Sequence, residues 1–202
     1  MGGVMKTKIF SLLILFIFIP MQSYALDYRV STGVGGMGMI ESGISEGHKA
    51  YHDFGISITH DNLSFDANIF FRGEPPDEDP ELLEDGVTAG FTYRYPLNDY
   101  IEPTIGTHYN HWCRGENIKH PTNDTEFSFI TAKGGARWRY GILYADTLFL
   151  IPYYTTYKSG QPGFEAGVGV EWGRLDIGYK YKRVAFDDIE FNFSGLELGW
   201  SF

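Results

Sequence analysis

The strongest constraint on this chain is apolar and polar residues in strict alternation, repeated segment after segment with turn-forming residues between. In Leu63–Arg72, for example, Leu63, Phe65, Ala67, Ile69 and Phe71 alternate with Ser64, Asp66, Asn68 and Arg72. A period of two sends successive side chains to opposite faces of a strand, so each segment has one apolar and one polar face. Ten segments qualify: Tyr28–Ile40, Tyr51–Thr59, Leu63–Arg72, Gly86–Tyr95, Tyr100–His111, Glu126–Tyr140, Leu143–Tyr154, Gly163–Trp172, Leu175–Arg183 and Phe191–Phe202. The first is irregular and rich in glycine. The seventh is apolar on both faces, which leaves its register open; without these two segments the count falls to eight.

The last segment reads FNFSGLELGWSF. Leu196, Leu198, Trp200 and Phe202 share one face, opposed by Gly195, Glu197, Gly199 and Ser201, while Phe191 and Phe193 fall on the other face, where a bulge at the strand's outer end would restore parity. An alternating strand that ends on an aromatic resembles the closing strand of Gram-negative outer-membrane β-barrels. The resemblance implies a transmembrane antiparallel up-and-down barrel of about ten strands, with Leu196, Leu198, Trp200 and Phe202 as its signal to the barrel-assembly machinery.

The connections fit that plan. Short turns are expected at His60-Asp61-Asn62, Pro96–Asp99, Gly141-Ile142 and Gly173-Arg174, and longer loops at the five other connections. Barrels of this class have short turns on the periplasmic side and longer loops outside. The longest loops are the acidic, proline-rich segment 73–85 and the polar segment 112–125.

The first 25 residues read as an export signal: Lys6 and Lys8 precede the apolar run Ile9–Ile19, and Ser23-Tyr24-Ala25 is a small-x-small cleavage site. Met5 heads a more usual leader than Met1. Cleavage leaves 26–202 as the barrel domain and, with two positive charges gone, moves the formal net charge from −10 to −12. That acidity argues against nucleic acid, whose binders need a basic stripe. The expected surroundings are outer-membrane lipid and lipopolysaccharide, with the protein a monomer. A mean hydropathy of −0.20 is too polar for a helical membrane protein, whereas a barrel hides its apolar signal in alternation.

With the apolar faces outward, the lumen receives Asp53, Asp66, Arg72, Arg94, Glu102, Lys133, Arg137, Arg139, Asp146, Glu165, Glu171, Asp176, Lys180, Lys182 and Glu197. Eight acids against seven bases suit a salt-bridged plug that fixes register, or else the lining of a narrow pore. Barrels of about eight strands are filled by side chains, so the plug is the expected reading. The function expected is a structural or surface-interaction role, with a narrow solute pore as the alternative.

No catalytic or cofactor site is expected. His108 and His111 lie three apart on one strand and face opposite ways, which excludes chelation of one ion. His108-Tyr109-Asn110 is similar to the His-x-Ser of outer-membrane lipid A deacylases, but Asn110 stands where the nucleophile is needed. Omptin proteases share the ten-strand plan and carry acids and a His at the outer rim, which makes Asp53, His108 and Asp124 the residues of a rim-hydrolase alternative. This chain is shorter than an omptin, and no Asp/His motif matches. The acidic loop lacks the spaced ligand order of a calcium loop and reads as solvated. The lone Cys113 has no internal partner for a disulfide. Tyr93, Tyr95, Tyr100, Trp112, Trp138, Tyr140, Trp172 and Trp200 are expected to form interfacial girdles.

Overall fold

The alternating segments close on themselves. A computed structural model describes residues 26–41, 43–72, 83–114, 126–156 and 159–202, all strand or turn; the leader, most of the acidic loop and Asp124 lie outside the described residues. Ten strands run in chain order as β1 (Leu26–Glu41), β2 (Ile44–His60), β3 (Leu63–Arg72), β4 (Leu83–Arg94), β5 (Ile101–Arg114), β6 (Glu126–Tyr140), β7 (Leu143–Thr155), β8 (Gly160–Trp172), β9 (Leu175–Phe186) and β10 (Ile189–Ser201). Each pairs antiparallel with its neighbours in sequence, and β1 pairs with β10 to close the barrel, from Arg29 opposite Ser201 to Glu41 opposite Ile189. Closure leaves no unpaired strand edge.

At the end where β1 begins and β10 finishes the hairpins are tight. Asp61, Gly141 and Gly173 take positive φ (52°, 62° and 63°), as two-residue hairpin turns require. The fourth connection is longer and is held by the Asn98 carbonyl, which accepts from the backbone N–H groups of Tyr100 and Ile101 at 2.8 and 2.9 Å.

The other end departs from the expected loop pattern. The first connection is not long: β1 runs on to Glu41 and β2 begins at Ile44, while β9 and β10 are joined through Asp187 and Asp188 alone. Several strands run longer than their alternation predicts. With 16, 17, 14 and 15 residues, β1, β2, β5 and β6 exceed the roughly 9 to 11 residues that cross a bilayer.

The extra length carries a different polarity code. Toward the tight-turn end the barrel is apolar outside: Ile105, Val168, Ile177, Leu196 and Leu198 are exposed on the outer face. Toward the loop end a second set of large apolar side chains turns inward, while Phe71, Ile151, Tyr153 and Tyr154 stay exposed outside. Met37, Met39, Trp112, Phe127, Phe129, Val184, Ile189 and Phe191 are all no more than 1 % exposed and pack as one cluster with Tyr51, Phe70, Leu150, Phe186 and Phe193. Outside this cluster the wall carries polar pairs. Arg183 bonds Glu190, Tyr181 donates to Asn192 at 2.6 Å, and Asn192 donates to Glu190 at 2.9 Å. On β5 and β6 the His111 ring and the Ser128 hydroxyl are 2.8 Å apart, with the Cys113 thiol 3.7 Å from the other His111 ring nitrogen.

This inversion corrects two expectations. Trp112 is not a girdle residue; it is 1 % exposed and stands inside the barrel. Phe191 and Phe193 need no bulge, because β10 keeps unbroken register with both neighbours and those two side chains pack within the cluster. The other girdle candidates, Tyr93, Tyr95, Tyr100, Trp138, Tyr140, Trp172 and Trp200, are exposed, and all lie near the tight-turn end. In β7 the register resolves: Tyr144, Leu148 and Leu150 point in, Phe149 and Ile151 point out, and a bulge opposite Ile130/Thr131 lets both Tyr153 and Tyr154 face outward.

Candidate functional site: a charged lumen beneath an aromatic roof

The inward positions of the tight-turn half are polar because they alternate with the apolar belt, and inward glycines give the long ones room. A Cβ at Gly169 or Gly178 would stand 2.5 Å from the Tyr144 hydroxyl. The two glycines thus form a slot in which Tyr144 donates to Asp176 at 2.8 Å. Gly33 likewise leaves space for the Asp53 carboxylate, and Gly86 for the rings of Phe70 and Trp112.

Three ion-paired groups occupy the lumen. Arg137, 4 % exposed, grips Asp146 with two parallel bonds of 2.8 and 2.9 Å, lies 3.6 Å from Glu171 and stacks 4.5 Å over the Tyr144 ring. Arg139 joins this group through Glu171 and reaches Glu102 at 2.8 Å. In the second group Arg29 bridges Asp176 and Glu197 at 2.7 and 2.8 Å, and Lys180 also pairs with Glu197. The third is centred on Asp66, which accepts from Ser57 at 2.8 Å and Thr92 at 2.6 Å and lies 3.6 Å from His108. Paired and hydrogen-bonded charges of this kind fix register more than they add stability.

Of the fifteen lumen residues singled out from sequence, nine enter these groups: Asp66, Glu102, Arg137, Arg139, Asp146, Glu171, Asp176, Lys180 and Glu197. Asp53, Arg94, Lys133, Glu165 and Lys182 line the remaining space without an ion pair within 4 Å among the described residues. Nothing is described of the Arg72 side chain. Sequence reasoning missed Arg29, since its glycine-rich strand alternates poorly, and Tyr144, since β7 is apolar on both faces. Of the rim-hydrolase candidates, Asp53 and His108 line the lumen below the aromatic cluster rather than an outer rim.

The space left is a cavity of about 370 Å³. Its lining begins at the tight-turn end with Asp27, Thr59, Arg94 and Ser201 and stops at Tyr51, Phe70, Trp112 and Phe193. Those four belong to the aromatic cluster, which therefore roofs the chamber on the loop side. Trp112 is the keystone, with edge-to-face contacts to Phe129, Phe191 and Phe70 at ring-centroid distances of 4.7, 5.4 and 5.9 Å.

Solved structures with similar backbones are outer-membrane barrels. The outer-membrane protease OmpT from Escherichia coli matches with a TM-score of 0.53 at 9% identity, over 89% of this chain and 98% of that one. Ail, the attachment invasion locus protein of Yersinia pestis, solved with the heparin analogue sucrose octasulfate, gives a TM-score of 0.44 at 14% identity, covering 88% and 99% of the two chains. Neisserial surface protein A gives 0.43 at 11%, covering 87% and 97%. No protein-family model matches the chain, and no curated protein is similar to it in sequence. At these identities the likeness is one of fold alone, and the fold is that of the closed, antiparallel Gram-negative outer-membrane β-barrels, here with ten strands.

Proposed function

We propose that this chain is an integral outer-membrane protein with a structural or surface-interaction role, its lumen closed to through passage and its tight-turn end facing the periplasm. One observation carries the reading: the aromatic cluster fills the loop-side half of the barrel, and the cavity lining ends against it. Rings packed edge to face leave neither width nor polar groups for a hydrated solute. The exposed belt supplies the lipid contact, and the polar wall above it reaches the level of lipopolysaccharide headgroups and the outside. Export through the leader 1–25, insertion by the assembly machinery and a monomeric state belong to the same reading, in which no residue is assigned a catalytic role.

Single-channel recording in planar bilayers tests the closure. The refolded protein is expected to give no reproducible conductance steps. Reproducible open steps whose size changes in a Lys133→Glu/Lys182→Glu variant would instead make the lumen a pore.

A further inference from the structure

We infer that the closed chamber is a binding site for a small oxyanion-bearing solute, a phosphate or carboxylate compound, which enters from the tight-turn end and docks under the Trp112 roof. The inference rests on the barrel being closed above Trp112 and adds a ligand to that reading.

Among the described residues the donors beneath the roof are not closed into hydrogen bonds or ion pairs. Trp112 is 1 % exposed and its indole Nε1, which can only donate, has no hydrogen-bond partner among the described residues. Lys182 sets its ammonium 5.6 Å from the centroid of the Trp112 ring, and Lys133 extends over Gly106, where a Cβ would lie 2.7 Å from its Cε. Neither lysine has an ion-pair partner within 4 Å among the described residues. Glu165 is the cross-strand partner of Lys182, and it too makes no ion pair among the described residues. Lys133, Lys182 and the Trp112 ring, from three strands, thus line one space together with Glu165 and Asp66, and neither ammonium is closed into an ion pair among the described residues. Elsewhere in the lumen the Arg29, Arg137 and Arg139 guanidinium groups are matched to acids, and the other cation without an ion pair among the described residues, Arg94, lies toward the tight-turn end, away from the roof.

An oxyanion satisfies this set: its oxygens accept from the Lys133 and Lys182 ammonium groups and from Trp112 Nε1. The chamber size also fits, since small-molecule sites begin at about 300 Å³. At the chamber's side Asp53 Oδ1 is buried without a donor, which favours a solute that also carries a hydroxyl or ammonium group. The entrance is at the tight-turn end, because the lining is continuous from there to the roof and stops at it.

The test uses the refolded full-length mature barrel in detergent micelles, with the indole N–H resonances followed by NMR. The Trp112 signal is the one lost in Trp112→Phe. Titration with inorganic phosphate or with citrate is expected to move that signal downfield saturably, and choline chloride at matched ionic strength is expected to leave it in place. The Lys133→Gln/Lys182→Gln variant, whose folding is checked by its heat-modifiable gel mobility, is expected to weaken the apparent affinity about ten-fold or more. No saturable shift with either anion, or equal affinity in the folded double variant, overturns the site. Neither of those results bears on conductance, and open channels in planar bilayers would overturn the closure while leaving the titration to be read on its own.

Discussion

Replacing Arg137 by Ala is expected to lower stability by about 3–5 kcal/mol, because it strands acids in the lumen. Asp146 loses both its bonds of 2.8 and 2.9 Å, and Glu171 keeps only Arg139. With 4 % exposure the guanidinium has no solvent to replace it. The double variant Arg137→Ala/Asp146→Ala is expected to recover part of the loss, since the stranded charge leaves with its partner. Removing Arg183 from its pair with Glu190 on the outer wall, where Arg183 is 38% exposed, is expected to cost at most about 1 kcal/mol. Reversible urea unfolding in detergent or thin bilayers reads all three. An Arg137→Ala loss no greater than that of Arg183→Ala would contradict the account of the lumen.

Trp112→Ala is expected to have an effect of the same size, about 3–5 kcal/mol, for a different reason. Trp112 sits at the centre of the cluster, and its removal leaves a void bordered by Phe70, Phe129, Phe191 and Phe193. Interior packing relaxes only partly around such a void. Trp172, 75% exposed, provides the comparison: Trp172→Ala removes a ring with little protein around it and is expected to cost clearly less in the same unfolding assay. Similar losses at the two positions would show that the cluster is not a packed core.

The two predictions concern the two halves of the barrel, and the halves differ in how readily they are read from sequence. Where the wall is apolar outside and polar inside, alternation identifies both the strands and their facing, as in β3 and in the Leu196–Phe202 half of β10. Above that belt, on β5, β6, β9 and β10, the same alternation persists with its meaning reversed. Phe191 and Phe193 continue the parity of Glu197, so a reader who equates apolar with lipid-facing must invent a bulge there. Trp112 shares the parity of His108 and Asn110, but its position beside a polar segment suggested an interfacial ring. The sequence around Glu41 and Ile44 is rich in glycine and polar residues and reads as loop, although β1 and β2 run through it. Periodicity gives the face on which a residue lies; it does not tell whether that face meets lipid, water or a core.

The site itself was partly visible. The inward charges follow from parity, yet which acid meets which base depends on shear around the barrel and on partners several strands apart, such as Arg29 with Asp176 and Glu197. No sequence spacing encodes those pairs. The glycine slot that holds Tyr144 against Asp176 is equally invisible until Gly169 and Gly178 are adjacent in register. The unmatched donors under Trp112 appear only once the paired ones have been assigned.

The central claim is that single strands such as β10 reverse their polarity part-way up, and accessibility scanning along β10 tests it most directly. Nitroxide labels are placed singly, in a Cys113→Ser background reconstituted in bilayers, at the outward positions Glu190, Asn192, Ser194, Leu196, Leu198 and Trp200. The account predicts that oxygen, concentrated in lipid, dominates relaxation at positions 196, 198 and 200, and that a water-soluble nickel chelate dominates at 190 and 192, with the crossover near 194. Oxygen dominance persisting at 190 and 192 to the same degree as at 196 and 198 would contradict it.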